Sequence, residues 1–183
     1  METLASRILA LGAHRAEQIA VREVPFDASF RALCASNACG NYGRCWMCPP
    51  DAGDIDALIA HAKTFENAVV YQTVGTLEDS YDFEGMMEAG ARQYALAQKV
   101  RTLCETLPLR AVLHLGAGGC RVCPTCAKRT NEPCRFPGKA MSSLETYGVN
   151  VSALAACCGM KYIHGPDTVT YFGAVLFSEA HDG

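Results

Sequence analysis

The feature that most restricts the fold of this 183-residue chain is the clustering of its eleven cysteines. Most of them fall in two segments, residues 34–50 and 118–139, where glycine, proline and asparagine interrupt any regular periodicity. We predict that both segments are irregular loops. The clustered cysteines are Cys34, Cys39, Cys45 and Cys48 in the first segment and Cys120, Cys123, Cys126 and Cys134 in the second.

Disulfide bonds are a poor explanation for these cysteines. A secreted disulfide scaffold is usually shorter, follows a signal peptide and has an even number of cysteines. This chain has an odd number, and its first residues lack a basic leader and a clear cleavage site. We therefore predict a cytoplasmic protein, in a reducing compartment where clustered cysteines more often bind metal.

The composition argues against two other classes of function. Lys plus Arg is 16 and Asp plus Glu is 19, with a formal charge of −3, so we expect no nucleic-acid partner. No apolar run is long enough to span a membrane as a helix, so we expect no membrane partner. Because 50% of the residues are hydrophobic, we predict a single domain over residues 1–183 that carries both cysteine segments.

Outside these segments the pattern predicts a small sheet with flanking helices, of the α/β or α+β class. Apolar, β-branched runs predict strands at 68–74, 109–115 and 168–177. Capping residues predict helices after Thr3, Asp54 and Asn150, and acids and a cap among Asp79, Ser80 and Asp82 predict the start of a long helix. A capping box at Ser142-Ser143-Leu144-Glu145 predicts one more short helix. The central strand–helix–strand order favours parallel pairing of the first two strands, with a right-handed crossover.

The second cysteine segment carries the most specific motif. Cys120, Cys123 and Cys126 form a Cys-x2-Cys-x2-Cys run, and Cys134 follows it. Bacterial ferredoxins use this run for a four-iron cluster, in which each thiolate meets a different iron. A single zinc ion instead draws four sulfurs to about 2.3 Å, which suits three closely spaced cysteines poorly. The run favours a cluster over zinc. Several nearby cations suit the negative charge of either site: Arg121, Lys128, Arg129, Arg135 and Lys139.

The first cysteine segment has looser spacing. It reads Cys34-x4-Cys39-x5-Cys45-x2-Cys48 and ends in Cys-Pro, as ferredoxin runs do. We predict a second four-iron cluster here, with zinc as the alternative. The segments could also exchange ligands, as two-cluster ferredoxins do, so that Cys134 would bind the other cluster. Tyr42 and Trp46 either shield a cluster from water or are ordinary core aromatics.

The remaining cysteines and histidines are predicted to be structural. Cys104 and Cys158 lie on the apolar faces of predicted helices, and Cys157 is a reserve ligand. His114, close to the second segment, is expected to be a hydrogen-bonded structural histidine and not a ligand. No pairing is expected among the other histidines, which are His14, His61, His164 and His181.

In its motifs the chain resembles DUF2284, a family of predicted metal-binding proteins. The motifs are Cys34-x4-Cys39-x-Asn41-Tyr42-Gly43, Cys48-Pro49-Pro50, Gly118-Gly119-Cys120-x2-Cys123-x2-Cys126, Pro133-Cys134-Arg135-x-Pro137 and Ser143-Leu144-Glu145-x2-Gly148-Val149. The resemblance implies iron–sulfur binding in bacteria and archaea, often anaerobes, without a defined reaction. Cys45 departs from the family pattern, in which a small polar residue is common. If Cys45 is spare, the first segment supplies three ligands.

These observations predict an electron-transfer or redox-accessory protein with one or two 4Fe-4S clusters and a redox partner protein. A non-enzymatic role is favoured, and the catalytic residues and oligomeric state stay unassigned. Two alternatives remain open. One is a zinc-stapled structural or interaction module, in which metal binding supplies folding energy. The other is an enzyme whose cluster has an open iron.

Overall fold

The structure is a computed structural model that describes residues 2–179. These residues form a five-stranded sheet and five α-helices, a small α+β fold. The helices are α1 (Leu4–Ala10), α2 (Phe30–Ala35), α3 (Ile55–Ala62), α4 (Phe83–Glu105) and α5 (Val151–Cys157). The strands are β1 (Arg15–Ala20), β2 (Asn67–Thr76), β3 (Leu109–Gly116), β4 (Ser142–Ser143) and β5 (Thr168–Glu179). Short 3-10 helices lie at Val21–Glu23, Ala127–Thr130 and Glu145–Tyr147.

The strand order is β1-β2-β5-β3-β4. The pairs β1–β2, β2–β5 and β5–β3 are antiparallel, and the short β3–β4 pair is parallel. The predicted pairing of β2 with β3 is wrong: the two strands run in the same direction, but β5 lies between them. Residues 172–178 of β5 are buried without interruption. A strand that is apolar on both faces is most stable at the centre of a sheet, which explains its position.

Alternate residues of the central strands build two cores. On β2, Val69 and Tyr71 face the core that also contains residues of α1 and α4. Ala68 and Val70 face the opposite core, which contains residues of α3 and α5. This period of two is what a strand buried on both faces requires. The sheet is thereby covered by helices on both sides.

The predicted helix starts at Thr3, Asp54, Asp82 and Asn150 are confirmed, since each side chain accepts a backbone N–H in the first turn. The predicted capping box is wrong in detail. The hydroxyl of Ser143 accepts the N–H of Thr146 at 3.1 Å, and a 3-10 helix follows. Gly148, with φ of +70°, ends it. Among the described residues the Glu145 carboxylate has no capping partner.

Two elements near the N-terminus were not predicted. Strand β1 is a polar edge strand, and helix α2 begins the first cysteine segment. Before α2 begins, one isolated bridge joins Phe26 to Val149. Within residues 2–179, no helix combines the length and apolar character needed to cross a membrane.

We expect Asn150→Ala to lower the free energy of unfolding by about 1 kcal/mol, because α5 loses its N-terminal cap. The Asn150 Oδ1 atom accepts the N–H of Ala153 at 3.0 Å, and this donor would be left without a protein partner. Urea unfolding measures the change. Ser152→Ala is the matched control, because Ser152 is exposed on the same helix and should leave the unfolding midpoint unchanged. An unchanged midpoint for Asn150→Ala would show that the cap contributes nothing.

Candidate metal centre

The first cysteine segment folds into a compact loop stabilised by its own backbone. Cys34 lies in the last turn of α2, and the Asn37 Oδ1 atom then accepts the N–H of Tyr42 at 3.0 Å. Further along, the N–H of Gly43 donates to the carbonyl oxygen of Pro49 at 2.9 Å. The loop closes so that Cys34, Cys39 and Cys48 line one cavity of about 400 Å³, which we call the first cavity.

The second cysteine segment follows β3. A short turn follows Cys126, because the Arg129 N–H donates to the Cys126 carbonyl oxygen at 3.1 Å. A second contact joins the Glu132 N–H to the Ala127 carbonyl oxygen at 3.0 Å. The segment surrounds a narrow space of about 20 Å³, which we call the second cavity. Its cysteines are Cys120, Cys123, Cys126 and Cys134, joined by Cys45 from the first segment.

Cys45 and Cys48 occupy opposite sides of one turn. The turn is closed by the Cys48 N–H, which donates to the Cys45 carbonyl oxygen at 3.0 Å. Cys45 faces the second cavity and Cys48 the first, and the two thiols lie close enough to interact. The interaction with the Cys48 thiol, helped by the backbone N–H groups of Met47 and Cys120, lowers the pKa of Cys45 to about 5. The same interaction, with burial, raises the pKa of Cys48.

All eleven cysteines are free thiols. The eight predicted ligands do not divide by segment. Three of them line the first cavity and five line the second. Within residues 2–179, no three or more His, Cys, Asp or Glu side chains are arranged to hold a single metal ion. The function of these cysteines as ligands stays a prediction.

A polar clamp joins the two cysteine segments beside the second cavity. The indole N–H of Trp46 donates to the carbonyl oxygen of Glu132 at 2.8 Å. The Lys128 ammonium lies 4.3 Å from the centroid of the Trp46 ring and 2.5 Å from the Asp51 Oδ1 atom. Because Trp46 and Asp51 belong to the first loop region and Lys128 to the second segment, these contacts fix the two loops to each other.

A close approach of the backbone also brings the segments together. A Cβ atom on Gly119 would lie 2.8 Å from the Nδ2 atom of Asn41, so the Asn41 side chain would have to shift if residue 119 were larger. On the other side, the hydroxyl of Tyr94 in α4 lies 3.9 Å from the Cys120 sulfur. The second segment is thus held between the first segment and α4.

Two charged residues that the sequence analysis missed lie near Cys34. The guanidinium of Arg31 donates to the carbonyl oxygen of Gly53 at 2.8 Å. Burial raises the pKa of the Cys34 thiol, the Arg31 charge lowers it, and the Glu145 charge raises it. Glu145 also lines the first cavity. Arg31 could have been found from its spacing of three residues before Cys34, once α2 was recognised.

The cysteines predicted to be structural lie away from both cavities. Cys104 and Cys158 are buried in the two cores, which confirms their predicted packing function. Burial raises the pKa of each thiol to about 11. Cys157 is exposed and lines neither cavity.

Three histidines differ from their predictions. The Nδ1 atom of His114 is buried without a hydrogen-bond partner among the described residues, and burial followed by the charge of Arg101 lowers its pKa to about 4. His114 lines neither cysteine cavity. His14 and His164, predicted to be unpaired, lie edge to face with ring centroids 5.0 Å apart. His181 lies outside the described residues.

The fold and its two cysteine-lined cavities define a small α+β protein rich in free cysteines. The family model described as "Predicted metal-binding protein (DUF2284)" matches residues 17–177, and the chain belongs to this family. The resemblance seen in the motifs is thereby confirmed. No curated protein and no solved structure gives a significant match to the chain.

Proposed function

We propose that this protein binds two 4Fe-4S clusters and transfers single electrons for a redox partner protein. The observation that supports this most is the arrangement of eight thiols around two cavities that adjoin at the Cys45–Cys48 turn. Thiolate sulfur is the ligand that iron–sulfur clusters take in proteins. Two adjoining thiol-rich sites would give electrons a route through the molecule.

The thiols fit such clusters in chemistry, and the two cavities differ in space. A bound cluster supplies one-electron redox chemistry, at a potential set by nearby charges and hydrogen bonds. The first cavity, of about 400 Å³, has room for a cluster core beside Cys34, Cys39 and Cys48. The second has about 20 Å³, close to the volume of one water molecule. A cluster core could be bound there only after the cavity widened.

Several groups would stabilise the negative charge of thiolate-bound clusters. Arg31 lies near Cys34, and Lys128 follows Cys126 in the second segment. The backbone N–H groups that point at the Cys45 sulfur add partial positive charge at the second cavity. Because reduction adds negative charge, each of these groups raises the reduction potential.

The proposal also covers location and partner. Eleven free thiols persist best in a reducing compartment, so we propose a cytoplasmic protein. Electron transfer requires a second redox protein as source or acceptor, and we propose that this partner docks near the cysteine loops, where the path to the thiols is shortest.

A zinc-stapled module is the second candidate, and the size of the second cavity favours it. A space of about 20 Å³ surrounded by five cysteines suits one ion better than a cluster core. In this case the metal would join the two loops and contribute folding energy without redox chemistry.

Metal and sulfide analysis on protein purified without oxygen separates the two candidates. Two 4Fe-4S clusters give a brown protein with about eight irons and about eight acid-labile sulfides per chain. After reduction with dithionite, we expect an electron paramagnetic resonance signal broadened by interaction between the two adjoining clusters. A colourless protein that contains zinc and no sulfide would contradict the proposal and support the zinc module.

A further inference from the structure

Three cysteines line the first cavity, whereas a four-iron cluster has four irons that each take a ligand. Cys34, Cys39 and Cys48 line it, and no other cysteine of the described chain does. The nearest candidate for a fourth, Cys45, faces the second cavity on the far side of the turn. Since each thiolate binds a different iron, one iron would lack a cysteine.

The rest of the first cavity resembles a binding site for a small organic molecule. Its volume of about 400 Å³ falls within the range of roughly 300–1,000 Å³ typical of ligand pockets. Much of the wall is aromatic or aliphatic, with contributions from Phe30, Leu33, Tyr42, Pro49 and Tyr162. Leu33 and Tyr162 are 66% and 48% exposed, so the cavity is open to solvent on this side.

One carboxylate, Glu145, stands among the described residues that line this wall. It makes no hydrogen bond or ion pair with any residue between Glu2 and Glu179. Its charge acts on Cys34, so the two side chains lie near each other. An unpaired carboxylate beside thiolates attracts a ligand group that is cationic or donates a hydrogen bond, and it repels anions.

We propose that the cluster held by Cys34, Cys39 and Cys48 has one iron without a protein ligand. This iron binds a small neutral or cationic organic molecule through a nitrogen, oxygen or sulfur atom, while Glu145 accepts a hydrogen bond from it. The inference rests on the proposed iron–sulfur function. It adds a ligand-binding site to a protein otherwise assigned to electron transfer.

Imidazole labelled with 15N tests the proposal, because it is neutral, has an aromatic ring for the apolar wall, and carries both an iron-binding nitrogen and an N–H. With the dithionite-reduced wild-type protein we expect 15N hyperfine coupling in electron–nuclear double resonance. The variant Cys34→Ser/Cys39→Ser keeps only the cluster of the second cavity, and its signal should show no 15N coupling.

Glu145→Gln shows whether this carboxylate positions the ligand. We expect imidazole affinity to fall about fivefold, since a hydrogen bond to a charged acceptor is replaced by one to a neutral acceptor. The control Glu84→Gln, at an exposed residue of α4 that lines neither cavity, should leave the affinity unchanged. If instead wild type shows no coupling and Glu145→Gln does, Glu145 is itself the fourth ligand and the proposal is wrong.

The iron content distinguishes the two possible failures. If the purified protein contains no iron, both the proposed function and this inference are wrong. About eight irons without 15N coupling in wild type, or equal coupling after loss of Cys34 and Cys39, overturns the open iron alone and leaves electron transfer standing.

Discussion

The double variant Cys123→Ser/Cys126→Ser is expected to keep about four of about eight irons per chain. It removes two thiols from the second cavity and leaves the first cavity intact. Two replacements are needed because five cysteines line the second cavity, whereas a cluster takes four thiolates. After a single replacement, four thiols would remain, and the spare thiol would replace the one lost.

The complementary variant Cys34→Ser/Cys39→Ser should also keep about four irons, but those of the other cluster. Each double variant should show a sharper resonance signal than wild type, because the neighbouring cluster is absent. Cys157→Ser is the matched control: this thiol is exposed and lies outside both cavities, so about eight irons should remain. Loss of all iron from both double variants would mean that the eight cysteines form one interdependent site.

The elements that the sequence predicted correctly are those with strong local signals. Helix α4 has a cap at Asp82 and a long apolar face, and β5 has a continuous β-branched and apolar run. Strand β1 was missed because its sequence, RAEQIA, is largely polar and lies at the edge of the sheet, where β2 is its one neighbouring strand.

The position of β5 between β2 and β3 could not be predicted from local signals. Val69 and Val175 pair although they lie far apart in sequence. The residues of a strand do not indicate which other strand it will pair with. The rule for consecutive strands favoured β2 beside β3 because a short helical return usually joins neighbours. Here the double-sided burial of β5 outweighed that tendency.

The cysteine segments were predictable as irregular loops that bring cysteines together, but the division of those cysteines between two cavities was not. Spacing shows that Cys45 and Cys48 are near in sequence, whereas the turn between them directs the two thiols into different cavities. Glu145 was interpreted as half of a capping box. In the structure Ser143 alone accepts the backbone N–H of Thr146, and Glu145 lies in the wall of the first cavity.

Lys128→Met is expected to lower the free energy of unfolding by about 2 kcal/mol, a large effect for one lysine. The Lys128 and Asp51 side chains are only 19% and 16% exposed, so solvent screens their ion pair weakly. Without Lys128 the Asp51 carboxylate would keep no partner, since its Oδ2 atom is already buried without one among the described residues. The cation–π contact with Trp46 would also be lost.

The double variant Asp51→Asn/Lys128→Met separates the cost of an unpaired charge from the value of the pair. It should be more stable than Lys128→Met alone, because no buried carboxylate is left uncompensated. Lys139→Met is the matched control, since Lys139 is an exposed cation of the same segment. Equal stabilities for wild type, Lys128→Met and the control in urea would show that the pair is energetically neutral.

The same variant connects the clamp to the metal. Trp46 follows Cys45 directly and Lys128 lies two residues after Cys126, so the clamp fixes the distance between two walls of the second cavity. Loosening it increases the opening motions that expose bound metal to solvent. We therefore expect Lys128→Met to release metal to a chelator faster from the second cavity and at an unchanged rate from the first. Equal acceleration at both cavities would mean that the clamp stabilises the whole fold and not this centre.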